Sequence, residues 1–150
     1  MSLSDVLEKV AAYAIPTVCV TGGEPLAQKN CVLLLTALCD EGYSVSLETS
    51  GALDISQVDS RVARIVDIKP PGSGESQRNR AENLSHLTPR DEVKFVLADR
   101  TDYEWACAQM TEHALPQRWA TDTAASKGMN RLKKILAQTL QAAEAAPAAK

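Results

Sequence analysis

Two periods of apolar and polar positions take turns along this chain. Over residues 2–13, Val6, Leu7, Val10 and Ala14 recur at helical spacing, and Ser4 stands where a cap belongs. Pro16 stops that helix, and a β-branched run at 17–21 follows, in which Cys19 alternates with Val18 and Val20 as in a buried strand. Residues 28–41 return to the helical period through Val32, Leu35, Ala37, Leu38 and Cys39, and Gly42 is a natural stop. Strand patterns then occupy 43–49 and 63–68, separated by a turn or short helix at 54–62. Paired prolines and glycines make 69–74 a loop without regular structure, and 79–87 reads as a helical turn. A fourth strand at 92–98 precedes a helix at 101–113, with Tyr103, Ala106, Cys107 and Met110 on one face.

Strands alternating with helices across short connections predict an α/β fold with a parallel sheet and covering helices. Four strands make a partial barrel or an open sheet, not a closed eight-stranded barrel. Lys94 falls inside the fourth strand, where its charge must lean to the surface or pair with Asp67 or Glu92. The stretch 119–150 reads differently. It is rich in alanine, shows no strand pattern, and carries one amphipathic helix through Leu132, Ile135, Leu136 and Leu140, flanked by Arg131, Lys133 and Lys134. The expected organisation is a partial barrel over 1–118 and a helical tail over 119–150.

Composition narrows the function. With 150 residues and 45% hydrophobic positions the chain is one domain's worth with a real core. A net charge of −3 and 4% aromatics argue against a nucleic-acid or membrane partner, since neither a basic surface nor stacking platforms are available. No apolar run is long enough to span a bilayer and no basic n-region opens the chain, so a cytoplasmic location is expected. Cys19, Cys31, Cys39 and Cys107 are separated by 12, 8 and 68 residues, which matches no metal or cluster spacing, so reduced thiols are expected. His86 and His113 have no second ligand at metal spacing, and solvated or capping roles are expected for both.

The chemistry concentrates at strand ends. The first strand runs into Thr21, Gly22, Gly23, Glu24 and Pro25, the second ends in Glu48, Thr49, Ser50 and Gly51, and the third ends in Asp67 and Lys69. In parallel α/β architectures ligands sit at the carboxyl ends of strands, so these groups should meet in one pocket. Paired glycines let the backbone approach a ligand closely. Their N–H groups suit a carboxylate and Glu24 suits an ammonium, so the pair fits a zwitterionic ligand.

Thr21-Gly22-Gly23-Glu24-Pro25 resembles the glycine-rich motif of radical S-adenosylmethionine enzymes. Three further segments follow in the right order: Leu47-Glu48-Thr49-Ser50-Gly51, Val66-Asp67-Ile68-Lys69-Pro70-Pro71-Gly72-Ser73-Gly74 and Asp91-Glu92-Val93-Lys94-Phe95-Val96-Leu97-Ala98-Asp99. Together they resemble the 7-carboxy-7-deazaguanine synthase family over about residues 5–118.

The resemblance implies a partial radical S-adenosylmethionine (β/α) barrel and a carbon–nitrogen lyase of queuosine and 7-deazaguanine biosynthesis. Such an enzyme contracts 6-carboxy-5,6,7,8-tetrahydropterin to 7-carboxy-7-deazaguanine with loss of ammonia. It implies S-adenosylmethionine, a [4Fe–4S] cluster and magnesium as cofactors, and a homodimer. Thr21 would contact the pterin. Gly23, Glu24, Asp67, Ile68 and Lys69 would bind S-adenosylmethionine, with Glu24 on its ammonium group, and Glu48, Thr49 and Ser50 would line the same pocket. The family's cluster cysteines and magnesium position should precede residue 1, so this chain alone is expected to lack them and to be inactive. A non-catalytic S-adenosylmethionine- or nucleoside-binding fragment acting as a partner subunit is the alternative.

Overall fold

The computed structural model describes residues 1–115. The expected tail helix through Leu132 and Leu140, and the expected boundary after residue 118, lie outside the described residues. The described residues divide into two compact units, 1–68 with 78–94, and 69–77 with 95–115.

The first unit is a four-stranded parallel sheet with helices, as expected. It opens with helix α1 (Leu3–Ala11) and strand β1 (Thr17–Val20), followed by a short 3₁₀ turn (Pro25–Ala27) and helix α2 (Cys31–Asp40). Strands β2 (Ser44–Thr49), β3 (Ala63–Asp67) and β4 (Glu92–Lys94) complete the sheet in the order β1-β2-β3-β4. Register pairs Val18 with Val45, Val20 with Leu47, Thr49 with Val66, and Val66 with Val93. Side chains alternate across a sheet, so these residues share one face, and α2 adds Leu35 and Leu38 to the core. The other face carries Ser46, Glu48, Ile65 and Asp67, all half-buried.

Several local expectations are corrected. Ser2, not Ser4, caps α1: its hydroxyl accepts from Asp5 N (3.1 Å), while the Asp5 carboxylate accepts from Ser2 N (2.7 Å). This reciprocal box needs a carboxylate three residues on, and only Ser2 has one. The helix ends at Ala11, so Ala14 falls outside it, at φ 52° and exposed, while Val6, Leu7 and Val10 are only half-buried. Cys19 is exposed, because it points to the sheet face opposite Val18 and Val20. The fourth strand stops at Lys94, which leans to the surface, rather than continuing to residue 98. Residues 69–74 are not free of regular structure, since Pro71–Ser73 form a 3₁₀ turn with proline at its start, where a missing N–H costs nothing.

Two buried polar clamps shape the first unit. Arg64 on β3 and Asp91 before β4 form an ion pair (Nη2–Oδ2 2.6 Å) with both side chains nearly inaccessible. Asp91 also accepts from Arg64 N (2.7 Å), Thr88 N (2.7 Å) and Thr88 Oγ1 (2.9 Å). Asn83, in a 3₁₀ stretch at Ala81–His86, donates to Gly51 O (2.9 Å) and Leu53 O (2.7 Å) and accepts from Ile55 N (3.3 Å). It thereby holds the turn that leaves β2.

Gly51 sits in that turn at φ +72°, and a Cβ there would lie 2.9 Å from Val66 Cγ1. Gly51→Ala should therefore destabilise the chain by about 1–3 kcal/mol, read from the midpoint of urea unfolding.

In the second unit, helix α3 (Arg100–Glu112) is capped by Asp99, whose carboxylate accepts from Asp102 N (2.9 Å). Asp102 is buried and its two oxygens accept from Gly72 N (2.8 Å) and Ala98 N (3.1 Å). A Cβ on residue 72 would stand 2.6 Å from Asp102 Oδ2, so this approach requires glycine. Phe95 meets Trp105 edge-on at 6.3 Å, and the expected α3 face is buried at Ala106 and Met110. His113 is the C-cap residue of α3, with its backbone N–H donating to Gln109 O (3.1 Å).

Candidate functional site

Parallel strands deliver their carboxyl ends to one edge of a sheet. The chain leaving β1 turns at Gly22 (φ 103°) and Gly23 (φ 57°), conformations that favour glycine. Apart from the adjoining residues, no heavy atom lies within 4 Å of where a Cβ would stand on either glycine, so this backbone is open to a ligand. Thr21 beside it is exposed.

Glu24 turns back toward the end of β2. Its carboxylate accepts from Leu26 N (3.0 Å), from Thr49 Oγ1 (2.9 Å to each oxygen), from Ser50 N (2.9 Å) and from Ser50 Oγ. Burial pushes its pKa up, but the hydrogen bonds from Ser50, Leu26 and Thr49 outweigh this and hold it below the ordinary glutamate value. The result is a fixed anion, half-buried, directly following an open glycine pair.

The structure thus joins Glu24, Thr49 and Ser50 by direct bonds. Glu48 and Asp67 lie on the opposite sheet face from Thr49 and share that face with Ile65. Ile68 is buried, with its N–H on Lys94 O (2.8 Å). Lys69 begins the second unit. The Leu26 N–H and the Asn83 clamp under Gly51 escaped the sequence reading. Glu24-Pro25 was a signal for the first, since a proline-led turn after a carboxylate presents a free N–H two residues on; nothing local marked the second.

The thiols do not fit an iron–sulfur cluster, which needs three thiolates converging on one point. Cys31 and Cys39 are buried toward opposite ends of α2, about 12 Å apart along its axis. Burial and then the Glu24 charge push the Cys31 thiol up, and burial and then the Asp59 charge push up that of Cys39, so neither is poised as a thiolate. Cys19 is on the β1 edge and Cys107 is in the second unit. Among the described residues no group of three His, Cys, Asp or Glu side chains is placed to hold a metal. An apolar hollow of about 210 Å³, lined by Val10, Tyr13, Ile15, Thr17, Val18 and Cys19, includes none of the Glu24 constellation.

No family model matches the sequence. Curated proteins do. The chain is 46% identical over 100 residues to the 7-carboxy-7-deazaguanine synthase of Koribacter versatilis, a match covering 66% of this chain and 44% of that protein. It is 42% identical over 118 residues to the enzyme of the same name from Chlorobaculum tepidum, covering 77% of this chain and 54% of the relative. For that of Thermoplasma acidophilum the identity is 33% over 106 residues, covering 69% and 51%. The chain spans about half the length of these relatives. Repeated matches under one name, at up to 46% identity and over as much as 77% of the sequence, place the chain in the 7-carboxy-7-deazaguanine synthase family.

Proposed function

We propose that this chain supplies the S-adenosylmethionine-binding part of a 7-carboxy-7-deazaguanine synthase. In this reading the enzyme is a radical S-adenosylmethionine carbon–nitrogen lyase acting on 6-carboxy-5,6,7,8-tetrahydropterin. The observation that carries the reading is the fixed Glu24 carboxylate beside the uncovered Gly22–Gly23 backbone. An amino-acid end group is a carboxylate and an ammonium two bonds apart, and this corner offers backbone donors and one anion at matching positions. When bound, S-adenosylmethionine supplies the sulfonium-linked adenosyl group on which the family's chemistry depends.

In this proposal, Gly23 N–H takes the ligand carboxylate and Glu24 takes the ammonium. Thr49 and Ser50 hold Glu24 in place. Thr21, exposed at the mouth of β1, meets the pterin. Glu48, Asp67, Ile68 and Lys69 are assigned to the same cofactor by their position in the family motifs. The same reading makes the protein a cytoplasmic homodimer with a small-molecule substrate.

The [4Fe–4S] cluster and magnesium of such an enzyme find no ligand set among the described residues. The cysteine placements favour a second reading, in which this chain binds S-adenosylmethionine or a nucleoside without catalysing the reaction and serves as a partner subunit. Both readings accommodate heat on calorimetric titration with S-adenosylmethionine, and no heat at millimolar S-adenosylmethionine would remove the first and leave the second only its nucleoside. Anaerobic iron reconstitution of this chain should give no visible cluster absorbance, and an absorbance would overturn the reading of its thiols.

A further inference from the structure

The two edges of the sheet are built differently among the described residues. Strand β4 carries Glu92 and Lys94, both exposed, the kind of charge that keeps a strand edge from pairing. Strand β1 has no such guard, since residues 10–23 contain no charged side chain. Its outward backbone groups can be identified. Ser44 N donates to Pro16 O (2.8 Å), and successive residues of a strand turn their N–H and C=O to alternate sides. Val18 and Val20 therefore serve β2, while Thr17 and Cys19, both exposed, turn theirs away from it. Apolar surface adjoins this edge. Tyr13 and Ile15 are 75% and 56% exposed, α1 buries none of its residues, and the hollow of about 210 Å³ is lined by Val10 of α1 together with Val18 of β1.

We infer that the outer edge of β1 pairs with the same edge of a second copy of this chain, antiparallel about a twofold axis at Val18. In that register Thr17 of each copy faces Cys19 of the other, and the facing residues exchange both N–H···O bonds through groups that β2 does not use. Ile15 of each copy comes against Thr21 of the other, which draws an exposed apolar side chain out of water. Charge selects the occupant. A twofold axis sets every nearby group against its own duplicate, so a charge there repels itself, and this stretch has none. A strand guarded by charges, such as β4, finds no countercharge on residues 10–23. Pairing β1 with β4 would also leave a free edge at each end and grow without closing, whereas β1 with β1 closes at two copies. The ligand corner at Glu24 plays no part in this surface, so the titrations above and the oligomeric state can fail separately.

The experiment is sedimentation of the full chain over a concentration series under reducing conditions, which removes any disulfide from the result. Wild type should be a dimer that dissociates on dilution. Cys19→Pro deletes an outward N–H in each copy and leaves the β1–β2 ladder intact, so it should weaken the dimer about tenfold. Cys19→Lys keeps the backbone and brings like charges near the axis. It should weaken the dimer at low salt and recover part of the loss at high salt, a response that a misfolded variant would not give. Cys19→Ser should dimerise as wild type does. Circular dichroism checks that each variant is folded. A wild type that stays monomeric would overturn the inference, as would assembly that grows past two copies. A dimer that survives both Cys19→Pro and Cys19→Lys would place the contact on another surface and overturn it equally.

Discussion

Replacing Arg64 by alanine should remove a large part of the chain's stability at neutral pH and move its urea midpoint sharply down. The guanidinium is the countercharge of Asp91, and both side chains are shut away from solvent. Removing it strands a buried carboxylate, which costs about 3–5 kcal/mol, against a typical domain stability of about 5–15 kcal/mol. Lysine should recover little, because Arg64 uses Nε (3.0 Å) and Nη2 (2.6 Å) on Asp91 together, with Nη2 also on His86 O (2.8 Å). Circular dichroism with urea titration reads the effect, and a midpoint within error of wild type would remove the clamp from the account. The pH dependence follows the Asp91 charge. Burial pushes its pKa up, but the bonds from Arg64 and Thr88 outweigh burial and hold it below its ordinary value. A lowered folded pKa means that the stabilisation is full above the unfolded pKa of about 4 and is lost as pH falls through the folded value. Wild type should therefore hold its stability from neutral pH down into the carboxylate range, then lose it in stronger acid.

Glu24→Gln should abolish measurable S-adenosylmethionine binding and lower stability together. Either orientation of the amide sets an NH₂ against groups that are already donors, at the Leu26 side or the Ser50 side. Leaving such donors unsatisfied costs about 1–3 kcal/mol, and losing the anion removes the ammonium's partner. Thermal melting and calorimetry on one sample separate the two losses. The Glu24 pKa is likewise lowered on balance, so wild-type affinity should be unchanged from neutral pH down to the ordinary glutamate range and fall only in stronger acid. Affinity that begins to fall near neutrality would point to a different group.

Local pattern made the sheet legible. The β-branched alternation at Ser44–Thr49 and Ala63–Asp67 reports burial on one face, and both strands lie where that alternation puts them. The glycine pair and Glu24 were legible because an open positive-φ turn leaves few residue choices. What was not legible depended on distant partners. Cys19 points to the sheet face opposite Val18 and Val20, and whether that face is covered depends on segments distant in sequence. The fourth strand looked seven residues long because Phe95, Val96 and Leu97 are apolar. Phe95 instead meets Trp105, a choice no window around residue 95 contains. Arg64 and Asp91 are 27 residues apart, and Asp102 and Gly72 are 30 apart. A charge within an apolar stretch reads as solvent-facing until its partner is seen.

Asp102 has a practical corollary for anyone moving pieces of this protein. The bend at Pro71-Gly72-Ser73 is stored in a helix residue far downstream, through two amide hydrogens converging on one carboxylate. A graft carrying residues 69–77 into another scaffold would leave that instruction behind, whereas a transplant that also brings residues 98–102 would take the whole joint with it.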